Sequence, residues 1–162
     1  MALTFEERTF ARSMLRHLLE ERTGNAFEHF FQDLISARYP TFIGVRTHGK
    51  LGDMGADGLG DGKLFACYAP EVPDADAVRG KFRSDLAKAV AKRDGQFDTF
   101  VFVHNDLRGV HPEISVLLTQ ARKDHPTLHS ENLGPSRLQQ ELLRLERDEI
   151  EQAGCPSRRS PA

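Results

Sequence analysis

The sequence predicts one α/β domain, a mixed sheet of about five strands flanked by helices on both faces. Apolar stripes at helical spacing alternate along the chain with short apolar runs, which is the order of such a fold. Two of those runs, LFACYAP from Leu64 and DTFVFVHND from Asp98, are continuous rather than alternating, as strands buried on both faces are. A chain of 162 residues with 39% hydrophobic residues fills one ordinary core and not two.

The elements follow in order. Thr4 and Glu7 stand in the capping-box relation ahead of Phe10, Met14, Leu15 and Leu18, predicting a helix over 4–21 that Gly24 stops, a covering element within 1–23. Asn25 is placed to cap a second helix with the stripe Phe27, Phe30, Phe31, Leu34 and Ile35, ended by Tyr39 and Pro40. TFIGVRTHG, 41–49, alternates as a strand; a Gly- and Asp-rich turn follows, then a short strand at Asp57 and the buried strand from Leu64. A third helix over 74–93 turns Val78, Phe82, Leu86, Ala89 and Val90 inward. After the strand at 98–106 come a loop with Arg108 and Gly109, a helix over 112–123, a short strand over 127–130 and a last helix over 136–152. The domain is expected over 1–153, with 136–153 its C-terminal helix, and 154–162 as a disordered tail.

A charged fraction of 28%, no long apolar run and the charged start MALTFEERTF exclude a membrane-spanning helix and a secretory signal, so a cytoplasmic protein with no membrane partner is expected. Cys67, in an apolar strand, and Cys155 share no metal-like spacing and read as free thiols, Cys67 as a small core residue. A net charge of −2 and a pI near 6.4 give no global attraction to nucleic acid, so such binding needs a local basic patch.

A metal-dependent phosphodiesterase needs carboxylates on rigid elements to place Mg²⁺ or Mn²⁺ against the scissile phosphate, and a cation nearby. Asp57 sits where the Gly-rich hairpin turns into a strand, ten residues before Cys67, and Glu28 lies on the helix preceding the sheet. The stretch Gly52-Asp53-Met54-Gly55-Ala56-Asp57-Gly58, a buried strand after it and a helix with Glu28 before it resemble the core of the PD-(D/E)XK, or restriction-endonuclease-like, superfamily. The helix, three strands, helix, strand order is also similar to that superfamily's. The resemblance implies a restriction-endonuclease-like fold, Asp57 as the metal-binding aspartate and Glu28 as the assisting helical glutamate. The strand LFACYAPE, with FVFVHNDLRGVHPE and ENLGPSRL, is similar to a variant group in bacterial defence proteins, and the likeness spans about residues 24–150.

Where the superfamily carries a carboxylate or glutamine and, two positions on, a lysine, this chain has Ala66 and Tyr68. Alanine cannot ligate a metal, and a tyrosine hydroxyl of pKa about 10 is a poor substitute for an ammonium. Replacements are available elsewhere: Lys81, Lys88 and Lys92 flank the apolar face of the third helix, Lys81 nearest, and Glu71 just past the strand is a displaced carboxylate for the metal. Arg46, Lys50, Lys81 and Lys88 are the candidate nucleic-acid contacts. The expected function is thus a Mg²⁺-dependent endonuclease domain acting on DNA in bacterial antiviral defence, with Asp57, Glu28 and Lys81 catalytic and Asp57 and Glu71 on the metal. A homodimer or a larger defence assembly is the expected setting. The alternative is an inactive module of the same fold that binds nucleic acid or a partner protein.

Each residue also has a plainer reading. Asp57 before a glycine is ordinary turn chemistry, Glu28 near a helix start suits the macrodipole, and lysines flanking an amphipathic helix are usually its solvated side. His104, Asn105 and His111 lack the hairpin and histidine-bearing helix of a histidine-asparagine-histidine nuclease, and His48 reads as a surface residue. The glycines at 52, 55, 58, 60 and 62 lack the Gly-Lys-Ser/Thr ending of a phosphate loop. The acidic final turn of the last helix, Asp148, Glu149 and Glu151, opposes the macrodipole and predicts fraying unless packed.

Overall fold

A computed structural model describes residues 3–46 and 54–154. Among them are helices α1 (Phe5–Glu21), α2 (Gly24–Arg38), α3 (Ala75–Lys92), α4 (Pro112–Asp124), α5 (Pro135–Leu142) and α6 (Arg147–Gln152), and strands β1 (Ile43–Gly44), β2 (Gly58–Gly60), β3 (Lys63–Tyr68), β4 (Thr99–His104) and β5 (His129–Leu133). The strands form one mixed sheet in chain order: β1, β2 and β3 are antiparallel neighbours, whereas β3, β4 and β5 run parallel. Parallel neighbours need a crossover, and α3 and α4 supply the two crossovers.

Strand parity divides the molecule into layers. Phe65 and Cys67 of β3 and Val101 and Val103 of β4 face α1, α2, α5 and α6, packing on Phe27, Phe30, Phe31 and Leu138. Leu64, Ala66, Phe100 and Phe102 face the opposite way, onto Val78, Phe82 and Leu86 of α3 and Ile114 and Leu117 of α4. β4 is buried along its whole length, which is why its sequence is continuously apolar. Phe82 meets Phe100 edge to face at 5.5 Å, and Phe31 meets Phe65 at 5.4 Å, one aromatic contact in each layer.

Local rules explain most element ends. Thr4 and Glu7 form the capping box of α1, the Tyr39 backbone closes α2, and the Asp74 side chain accepts from Ala77 N at the start of α3. The second helix starts two residues earlier than Asn25 would place it, with Thr23 as N-cap and Gly24 held by its N–H to the Ala69 carbonyl at 2.7 Å. The strand expected over 41–49 pairs only at Ile43–Gly44, and 47–53 lies outside the described residues. β5 falls at His129–Leu133, shifted along from 127–130 because Leu128 still turns back on His125.

The last helix is two helices. Leu143 ends α5, the chain makes a tight turn through Leu145 to Leu142, and Glu146 and Glu149 form a second capping box that starts α6. The turn lets Leu145 and Ile150 both reach the core, which one straight helix would not do for these spacings. The acidic residues that looked misplaced at a C-terminus therefore include the first turn of α6, where Asp148 and Glu149 suit the macrodipole.

Candidate functional site

Three elements meet at the seam where β2 departs from β3. Met54 and Gly55 both take positive φ, 55° and 78°, and make the sharp turn that delivers Asp57 to the start of β2. A Cβ on Gly55 would stand 2.3 Å from the Asp85 carbonyl of α3, so only glycine lets this turn lie against that helix. Gly58, next to Asp57, makes room for the Phe42 ring, which a Cβ would meet at 2.3 Å. These two glycines therefore serve packing.

Asp57 is buried and tied down on several sides. Its N–H donates to the Phe65 carbonyl at 2.8 Å, and its carbonyl accepts from Val45 N at 3.0 Å and from the Gln32 side-chain amide of α2 at 2.8 Å. Its Oδ2 accepts from the Cys67 backbone N–H at 2.6 Å, a charge-assisted bond linking it to the C-terminal end of β3.

The Cys67 thiol reports what else is close. Burial pushes its pKa well above the ordinary value, the charges of Asp57, Glu28 and Asp85 push the same way, and that of Lys81 opposes them. Glu28 from α2, Asp57 from the hairpin, and Lys81 with Asp85 from α3 thus all act on one point of β3. Lys81 Nζ lies 2.7 Å from Asp85 Oδ2, and Asp85 itself is buried.

Of the residues singled out from sequence, Asp57, Glu28 and Lys81 all act electrostatically on the Cys67 thiol, and Asp57 also bonds its backbone. Glu71 is exposed in the bend after β3, and Arg46 and Lys88 are exposed, Lys88 beside Gly55. Lys50, His48, Cys155 and Gly52–Asp53 of the motif lie outside the described residues. Ala66, at the position where the resemblance would expect a carboxylate, turns into the α3 and α4 layer; Cys67, one residue on, is the strand position beside Asp57. Tyr68 packs on Phe102 at 6.1 Å, and burial raises its hydroxyl pKa, so it remains a neutral phenol.

Asp85 was missed in the sequence reading. The signal was there, an acidic residue on the apolar side of α3 between Phe82 and Leu86 and four residues after Lys81, the spacing that pairs side chains on a helix.

The donors are carboxylate oxygens, the class a hard divalent cation takes. Among the described residues no group of three or more His, Cys, Asp or Glu side chains is arranged to hold a metal ion. Mg²⁺ does not need such a cage, since it usually keeps several waters and is held by one or two carboxylates together with substrate phosphates.

No protein-family model matches the chain, and no curated protein or solved structure matches it. No helix among the described residues is long and apolar enough to cross a membrane.

Proposed function

We propose that this chain is a restriction-endonuclease-like domain that hydrolyses phosphodiester bonds in DNA with Mg²⁺ or Mn²⁺, as part of a bacterial defence assembly. What supports the reading is that Asp57 bonds Cys67 and that the charges of Glu28 and of the Lys81–Asp85 pair, on two further elements, also bear on that residue. Asp57 and Glu28 would hold the ion, with Asp85 behind them and the exposed Glu71 the outlying candidate. When bound, the ion supplies Lewis-acid polarisation of the phosphate and a more acidic water. Lys81, half-buried and fixed by Asp85, presents a cation to the charge that develops on the phosphoryl oxygens. Arg46 and Lys88 are exposed and would be the contacts for a backbone phosphate, with Lys50 between Arg46 and the turn in the sequence.

A second reading has its own support. Ala66 and Tyr68 bring neither carboxylate nor ammonium to β3, and Lys81 is neutralised by an internal carboxylate. Those features favour a module of this fold that binds nucleic acid or a partner and does not cut.

One experiment separates the two. Linear and supercoiled plasmid are incubated with the protein and Mg²⁺ or Mn²⁺, beside Asp57→Asn prepared identically, with DNA affinity measured at low and high salt. Cleavage by the wild type alone supports the nuclease. Salt-sensitive binding without cleavage selects the inactive module, and neither cleavage nor affinity for DNA or RNA removes both nucleic-acid readings.

A further inference from the structure

β5 is an outer strand of the sheet, and its parallel ladder fixes which backbone groups face away from β4. His129 N–H donates to the Asp98 carbonyl at 2.8 Å, so His129, Glu131 and Leu133 turn their groups to β4, while Ser130 and Asn132 turn theirs to the open edge. Both outward carbonyls are occupied: Arg122 of α4 donates to that of Ser130 at 2.9 Å, and Arg137 of α5 to that of Asn132 at 3.2 Å. A groove of about 520 Å³ lies beside this edge, with Arg122, Leu128, Ser130 and Glu131 in its lining. Ser130 is only 3% exposed, yet its hydroxyl and its outward N–H meet no acceptor among the described residues. Glu131, the one carboxylate of the lining, is already held by Lys63 at 3.0 Å and Arg137 at 3.4 Å, and Asp98, outside the lining, accepts from the Thr99 hydroxyl at 2.7 Å. Arg122 has no carboxylate partner among the described residues.

The outer edge of β5 therefore presents N–H donors and no unoccupied carbonyl. An incoming strand needs donors and acceptors in alternation, so the two arginines close this edge to strand pairing. What the groove lacks is an acceptor that also answers the charge of Arg122, and a buried hydroxyl without a partner is costly until one is supplied. We infer that this groove binds a phosphate group. Its oxygens accept from the Ser130 N–H and hydroxyl and from the Arg122 guanidinium, whose five donors let it keep one N–H on the Ser130 carbonyl. A tetrahedral phosphate presents oxygens to the strand edge and to the guanidinium at once, whereas a carboxylate spends both of its oxygens in one plane. The site is separate from the Asp57 cluster, needs neither a metal nor cleavage, and does not depend on the nuclease reading.

The test is an NMR titration of the full chain at constant ionic strength with inorganic phosphate, beside acetate, and with a dinucleotide carrying or lacking a terminal phosphate. Inorganic phosphate should give saturable shifts at the Ser130 amide and the Arg122 side-chain Nε–H, at least about tenfold tighter than acetate. Binding of both dinucleotides would make the group a phosphodiester of a nucleic-acid strand, of the phosphorylated one alone a terminal phosphate, and of neither a free phosphate ion; each supports the site. Ser130→Ala removes only a hydroxyl without a partner, so the fold should keep or gain stability while phosphate binds several-fold more weakly. Arg122→Gln, at an exposed position, should weaken phosphate further. No saturable shift with phosphate, equal or tighter binding of acetate, or unchanged phosphate affinity in both variants would overturn the proposal.

Discussion

Asp57 Oδ2 holds the backbone N–H of Cys67 at 2.6 Å, so one carboxylate joins the hairpin turn to the C-terminal end of β3. The bond is buried, and removing its acceptor leaves an N–H with no water to replace it. Asp57→Ala should lower the unfolding free energy by about 1–3 kcal/mol, read by urea denaturation. Asp57→Asn keeps an oxygen at that place and should recover most of the loss. Asparagine is therefore the variant for activity measurements, since with alanine a loss of cleavage and a loss of fold would look the same.

Gly55 is predicted to be the least replaceable glycine of the turn. Its φ of 78° disfavours any side chain, and an added Cβ would also overlap the backbone of α3 at Asp85 and Ala89. Gly95 has nearly the same φ, 76°, but open space around it. Gly95→Ala should cost about 1 kcal/mol from the backbone alone, and Gly55→Ala clearly more, about 2–4 kcal/mol. Equal losses in thermal unfolding would mean that the turn is not held against α3.

The sheet was legible in the sequence and its seams were not. β4 is apolar along its whole length because both faces are covered, and α2 and α3 announce their inner faces by spacing. Asp57, Glu28 and Lys81 were separable from the many other charged residues only through the resemblance, because nothing local distinguishes Asp57 from Asp53 or Asp61. The residue beside Asp57 on β3 was displaced by one. Which of Ala66 and Cys67 faces which layer depends on strand register, and a one-residue shift reverses every side chain. The break after Leu142 was hidden for a related reason, since Leu138, Leu142 and Leu145 continue a helical stripe across a turn set by tertiary packing.

The Lys81–Asp85 pair yields a coupling prediction. Asp85 is buried while a third of the Lys81 side chain reaches solvent, so removing the lysine strands a poorly solvated carboxylate. Lys81→Ala should destabilise by about 1–3 kcal/mol, less than for a fully buried pair because the lysine end is screened. Adding Asp85→Asn to it should return part of that loss, giving a double-mutant coupling of about 1 kcal/mol or more. Additive losses would show that the two residues do not hold each other, and Lys81 would lose its support as an oriented cation.

His104 gives the pH prediction. It ends β4 as a buried residue, and its Nδ1 accepts the Asp106 backbone N–H at 3.1 Å, so the neutral ring carries its proton on Nε2. Burial lowers its pKa below the ordinary 6.5, outweighing the opposing pull of Asp106 and Asn132. In the window below 6.5 and above the native value, the unfolded chain binds a proton that the native one refuses. The contribution of His104 is therefore complete above the unfolded pKa and lost as pH falls, with a slope of at most about 1.4 kcal/mol per pH unit. Urea unfolding followed from about pH 7.5 to about pH 5 should show wild-type stability falling towards acid more steeply than that of His104→Gln, which has no proton to gain. Parallel curves would mean that the imidazole is protonated equally in both states, and the buried, neutral ring described for the end of β4 would be wrong.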